Sequence, residues 1–146
     1  PVPATGTGLH VDWVLNTVGP ILSGLQRAGA GRTGEKVVKT EREAFETLTD
    51  GYRAAFEMAQ LLGITTLAVP AVSTGVYGVP HFTCADACFA AFVEDEDTPQ
   101  RLALSVYLHG LGKGDLAAWR QAAERRGVTL IPATASDEGV IDDLFA

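Results

Sequence analysis

LAVPAVSTGVYGVP, residues 67–80, divides into a strand, a loop and the start of a helix. Leu67, Ala68, Val69, Ala71 and Val72 make a short apolar run with β-branched members, the pattern of a buried strand. Ser73, Thr74, Gly75, Val76, Tyr77 and Gly78 make a loop of mostly small residues. Glycines let a backbone approach a ligand closely, and free N–H groups at a loop and helix start attract anionic oxygens. The stretch therefore suits an anion. Taken alone, its simpler reading is a tight loop that uses its glycines for positive φ.

The residues on either side extend the pattern. Thr40-Glu41-Arg42-Glu43 has the Thr-x-x-Glu form of a capping box, in which both side chains satisfy free N–H groups. Phe45, Leu48, Tyr52, Phe56, Ala59 and Leu62 follow at spacings of three or four, predicting a helix that Gly63 ends. After the loop, residues 82–94 predict a second helix with Ala85, Cys88, Ala91 and Phe92 on one face. EDEDTPQ, residues 94–100, reads as a solvated acidic turn, because nothing fixes its consecutive carboxylates. Residues 101–108, RLALSVYL, predict a strand. Residues 115–126 predict a helix with Leu116, Trp119 and Ala123 inward and basic residues at its C-terminal end, where they suit the dipole. Residues 128–131 predict a short strand that Pro132 ends.

At the other end, residues 1–8 read as a loop, and residues 11–18, VDWVLNTV, as a strand stopped by Gly19-Pro20. Residues 23–36 read as a surface connection with one helical turn near Leu25. Alternating strands and helices predict an α/β layered fold, in which ligands sit beyond the carboxyl ends of strands. The loop after Val72 occupies such a place.

Composition bounds the function. A chain of 146 residues fits one domain. With 47% hydrophobic and 20% charged residues it has the balance of a globular protein. A net charge of −7 and a pI near 4.8 disfavour a nucleic-acid partner, which wants a basic face. A phosphate ligand remains compatible, because backbone N–H groups hold phosphate without lysine. No apolar run approaches the roughly 18–20 residues of a membrane span. No signal-peptide pattern opens the chain, so a cytoplasmic location is expected. Cys84 and Cys88 lie four apart on one helical face and read as buried thiols in a reducing compartment. Only His81 is near them, so no metal is expected.

AVSTGVYGVP closely resembles the phosphate-binding loop of macrodomains, a family that binds ADP-ribose and in some branches removes it from proteins. VDWVLNTVGP, residues 11–20, resembles the family's strand ending in a His-Thr-Val-Gly-Pro type sequence, with Asn16 at the histidine position. The helix carrying Tyr52-Arg53, the strand, the loop and the helix after it follow in the family's order, as does the strand over 104–108 with its helix. The resemblance spans about residues 4–125. It implies a three-layer α/β/α fold around a mixed sheet over residues 1–133, with an acidic tail at 134–146. It implies backbone contacts from Ser73, Thr74, Gly75, Val76, Tyr77 and Gly78 to a diphosphate, with Tyr77 flanking the distal ribose. No cofactor is implied.

The sequence also departs from the family. It contains no Asn-x-x-Asn stretch, no triple glycine and no upstream Asp of the kind that reads adenine. The expected domain is therefore N-terminally incomplete, with an open central place in its sheet. Buried unpaired backbone is costly, so something must fill that place. The candidates are a further segment of a longer protein, a second polypeptide or symmetry mate, or residues 128–133 as a substitute strand.

The expected function is a module binding ADP-ribose or a related nucleotide diphosphate. One alternative is an ADP-ribosyl hydrolase whose site an N-terminal segment completes. The other is a non-binding, degenerate macrodomain acting in protein–protein interaction. The expected partners are the nucleotide, an ADP-ribosylated protein, and an oligomer or second chain completing the sheet. No catalytic residue is assigned. Ser73 has no histidine at a readable spacing, Leu108 reads as core, Asn16 as structural, Asp12 as surface, and His81 as an exposed helix-start residue.

Overall fold

Thr40 fixes the start of the longest element. In the computed structural model, which describes residues 2–3, 11–22, 36–93, 105–109 and 112–132, helix α1 runs Glu41–Leu61. The Thr40 Oγ1 accepts from the Glu43 N–H at 3.1 Å, and the Glu43 carboxylate accepts from the Lys39 N–H at 2.7 Å. The glutamate thus reaches one residue further back than the capping box predicts. Gly63 follows the C-cap with φ +68°, a conformation that costs glycine little. Thr40→Ala is expected to cost about 1 kcal/mol in urea unfolding, the usual worth of an N-cap side chain.

The chain divides into two compact units, residues 1–17 with 130–146, and residues 18–129. In the first, β1 (Val2–Pro3) pairs antiparallel with β2 (Trp13–Val14). The second unit holds the rest. There β3 (Ile21–Leu22) pairs parallel with β4 (Val37–Val38), and β5 (Thr66–Pro70) pairs parallel with β6 (Ser105–His109). Helices α2 (His81–Val93) and α3 (Lys113–Arg126) complete it. The result is a mixed α/β fold with small sheets.

Helix α2 is the core of the second unit. Every residue from 83 to 91 is buried, and most are alanine or cysteine, so neighbouring helices approach closely. α1 packs on it through Phe56 against Phe92, edge to face with centroids 6.0 Å apart. α3 packs on it through Trp119 against Phe89, edge to face at 5.6 Å. Such aromatic pairs add about 1 kcal/mol beyond the area they bury.

One buried charge sits among these helices. Asp86 on α2 is 5% exposed. The Arg126 guanidinium donates to it twice, from Nε at 2.6 Å and Nη2 at 2.9 Å, and stacks over Phe45. The basic end of α3 therefore does more than complement a dipole.

Several expectations change. Residues 128–132 form no strand. Gly127 takes the left-handed conformation at φ +67°, and the Val128 N–H turns back to the Ala123 carbonyl at 2.9 Å, closing the helix instead of joining a ladder. Ile131 is 86% exposed, and Pro132 has no N–H to offer. Residues 128–132 thus supply no substitute strand. The strand expected over 11–18 shrinks to Trp13–Val14. Asp12, Trp13, Asn16, Thr17 and Val18 are all exposed, so no alternating buried face extends it. Residues 1–8 do not read as loop throughout, because Val2–Pro3 is a strand. Gly19-Pro20 does not end extended structure either, since β3 begins at Ile21. The turn near Leu25, the acidic turn at 94–100 and the tail at 134–146 lie outside the described residues.

Candidate functional site

Residues 71–80 join the end of β5 to the start of α2; the strand, expected to include Ala71 and Val72, stops at Pro70. β5 is held in register by β6, with Val69 opposite Leu108. Where the strand stops, the chain tightens. The Thr74 N–H and Oγ1 both donate to the Ala71 carbonyl, at 3.4 and 2.8 Å. The Gly78 N–H donates to the Gly75 carbonyl at 3.1 Å, and the Val79 N–H to the Ser73 carbonyl at 3.0 Å. The loop thus closes on itself through its own hydrogen bonds.

Positive φ falls where it was not expected. Gly78 takes φ +72°, but the second such residue is Ser73 at φ +64°, and Gly75 does not need it. A left-handed serine costs roughly 1–2 kcal/mol, and strain of that kind persists only when surrounding contacts impose it. Gly75 has open space where a Cβ would stand.

Three N–H groups of the loop are left over. Among the described residues, the amides of Ser73, Gly75 and Val76 meet no acceptor. Val76 is 88% exposed, which puts a valine at the solvent-facing tip. Tyr77 and Gly78 are half-buried. Helix α2 begins three residues later; its own first turn has no acidic side chain, but the carboxylates of Glu41 and Asp115 reach Thr83 and His81 there, each at 3.2 Å. Chemically, this is a fixed loop with unspent donors beside a helix N-terminus.

Tyr52 holds the loop's entrance from below. Its hydroxyl donates to the Pro70 carbonyl at 3.0 Å and accepts from the Val72 N–H at 3.3 Å, bridging the last bend of the strand. The Cys84 Sγ lies 3.2 Å from the same oxygen. With the hydroxyl proton spent on Pro70, the thiol is the donor. Burial pushes the Cys84 thiol up to about 11, so it stays protonated at neutral pH. Burial also raises Cys88 and Tyr52, with the neighbouring cysteines adding to both shifts. These thiols are packing and hydrogen-bonding groups, not nucleophiles. Tyr52→Phe is expected to cost about 2 kcal/mol in chemical denaturation, because the Val72 N–H loses its acceptor in a largely buried place.

Other candidate residues resolve as follows. His81 opens α2 and is half-buried rather than exposed. Its Nε2 lies 3.2 Å from Asp115 Oδ1, while Asp115 Oδ2 accepts from the Gly112 N–H at the start of α3. Leu108 is half-buried on β6. Asn16 is exposed and belongs to the first unit. Among the described residues, no three His, Cys, Asp or Glu gather to hold a metal ion. No helix there is long and apolar enough to cross a membrane. Sequence reasoning missed Gly19 and Leu22, which flank the loop. The Leu22 N–H donates to the Tyr77 carbonyl at 3.0 Å. A long-range pin of this kind leaves no local signal.

The sequence profile described as Macro domain matches residues 2–88. A macro domain-containing protein of Streptomyces griseus is 35% identical over 79 residues, covering 54% of this chain and 36% of that protein. An O-acetyl-ADP-ribose deacetylase of Cronobacter turicensis is 34% identical over 76 residues, covering 52% of this chain and 35% of that protein. The solved macrodomain of Oceanobacillus iheyensis with MES bound superposes with a TM-score of 0.55 at 21% identity. That match covers 75% of this chain and 49% of the solved one, and it shows the fold. The chain spans less than half the length of these relatives. With more than half of its residues matched by the profile and the same fold in space, the chain belongs to the macrodomain family.

Proposed function

We propose that this chain binds ADP-ribose or a related nucleotide diphosphate through Ser73, Thr74, Gly75, Val76, Tyr77 and Gly78. The observation that carries the reading is the set of free amides at Ser73, Gly75 and Val76 in a loop already closed by its own hydrogen bonds. A diphosphate oxygen accepting from such amides makes charge-assisted bonds, each worth about 1.5–3 kcal/mol. Because the loop is preformed, little of that energy goes into ordering it. Backbone N–H donors hold a phosphate without any lysine, which reconciles an anionic ligand with a net charge of −7. Tyr77, half-buried at the end of the loop, flanks the distal ribose in this reading. An ADP-ribosyl group on a protein presents the same diphosphate, so an ADP-ribosylated protein is a second form of the ligand. The two free thiols suit a reducing, cytoplasmic setting.

The names of relatives such as the Cronobacter turicensis deacetylase raise hydrolysis as a second reading. Its chemistry needs a group that activates water. Among the described residues around the loop, the Cys84 thiol is protonated and Ser73 Oγ has no hydrogen-bond partner. The free amides support binding directly, so binding is the first reading. Calorimetric titration with ADP-ribose tests it. Saturable heat at one site per chain is expected, and no heat at millimolar ligand overturns it.

A further inference from the structure

We propose that Gly19 is a positioning residue of the phosphate loop: the absence of its side chain sets the shape of residues 73–77 and so the direction of their free amides. This rests on the reading of the loop as the diphosphate site. The chain segment holding Gly19 passes directly against the loop. A Cβ built on Gly19 would collide with Ser73 Oγ, stand 2.6 Å from Val72 Cγ1 and reach to 3.3 Å from Ser73 Cβ. Gly19 has no positive φ, so backbone freedom does not explain a glycine there. Space does. Gly19 and Pro20 are buried, so the segment cannot retreat toward solvent at this point.

Three observations meet at this contact. Ser73 is the non-glycine residue held at positive φ, and its Oγ is buried with no hydrogen-bond partner among the described residues. Strain and an unsatisfied hydroxyl both oppose this geometry, so packing against Gly19 must help impose it. Three residues on, the same segment grips the other end of the loop, where the Leu22 N–H donates to the Tyr77 carbonyl. Gly19 and Leu22 thus clamp residues 73 and 77, and the free amides of Gly75 and Val76 lie between the two grips. A side chain at Gly19 pushes Ser73 outward and rotates that arc.

The test compares Gly19→Ala, Ser73→Gly and the double variant G19A/S73G. Amide hydrogen exchange of Leu22 in the ligand-free chain is read beside ADP-ribose affinity. Gly19→Ala is expected to lower Leu22 protection and ADP-ribose affinity by about tenfold or more, the loss of about one hydrogen bond. The double variant removes Ser73 Oγ and Cβ and gives the positive-φ position a glycine, leaving only the contact with Val72 Cγ1, so its Leu22 protection and affinity should recover part of the way toward those of Ser73→Gly alone. A merely destabilising alanine would not be rescued this way. If Gly19→Ala fails to fold while the double variant folds, the steric account stands. Unchanged Leu22 protection in Gly19→Ala overturns the proposal, as does a double variant no better than Gly19→Ala or one that also fails to fold. If the unaltered chain shows no ADP-ribose binding, the site reading fails, while Leu22 exchange still decides the clamp.

Discussion

Arg126→Ala is expected to destabilise the fold by about 3 kcal/mol, lowering the thermal midpoint by roughly 6–12 °C for a chain of this size. The reason is what the substitution leaves behind. Asp86 is 5% exposed, in a helix whose residues 83–91 are all buried. Its charge is matched by a two-pronged guanidinium contact at 2.6 and 2.9 Å. Removing the arginine strands a carboxylate in a place that cannot hydrate it, and breaking buried pairs of this kind costs about 3–5 kcal/mol. The lower end applies because the Arg126 side chain is 29% exposed and Arg125, with Nη1 3.7 Å from Asp86 Oδ2, can take up part of the charge. Arg126→Lys should recover only part of the loss, since an ammonium cannot make the fork. Asp86→Leu combined with Arg126→Met should recover most of it, because no charge is then left unpaired. Guanidinium unfolding followed by circular dichroism decides. A loss below about 1 kcal/mol for Arg126→Ala would mean that the pair behaves as an exposed one.

The second large effect is on binding. Val76→Pro is expected to weaken ADP-ribose by about 10- to 100-fold, while Val76→Ala should stay within about threefold. The valine side chain is 88% exposed and contributes little, but its N–H is one of the free donors. Proline deletes that donor and alanine keeps it. Matching thermal midpoints for the two variants would show that the loss is local. Equal affinities for Val76→Pro and the unaltered chain would remove this amide from the site.

Much of the scaffold around the loop was legible in the sequence, and the reasons are local. Thr40, the three- and four-residue spacing from Phe45 onward and Gly63 mark α1 within one turn, because caps and amphipathic spacing act over neighbouring residues. The strand, loop and helix of residues 67–80 follow from an apolar run, small residues and a proline in that order. What was not legible depends on partners far away in the chain. β3 and β4 are two residues each, too short for alternation to show, and exist because Ile21 and Val37 meet. Tyr52 reads as one more apolar residue on a helix face until its hydroxyl is found beneath Pro70 and Val72. Arg126 reads as a dipole partner until Asp86 appears opposite it. Gly19 reads as a turn residue beside a proline, and only contact with Ser73 gives it another role. Residues 128–131 show the converse. Their β-branched composition suggests a strand, but the Val128 N–H is already used to close α3.

The central claim is that backbone amides of the 73–78 loop hold the diphosphate. Its most direct measurement is a titration of the ¹⁵N-labelled chain with ADP-ribose, followed amide by amide in nuclear magnetic resonance spectra. The account predicts saturable shifts that are largest at Ser73, Gly75 and Val76, with Leu22 responding through its bond to Tyr77. Spectra unchanged at millimolar ligand, or largest shifts at residues away from this loop, would contradict it.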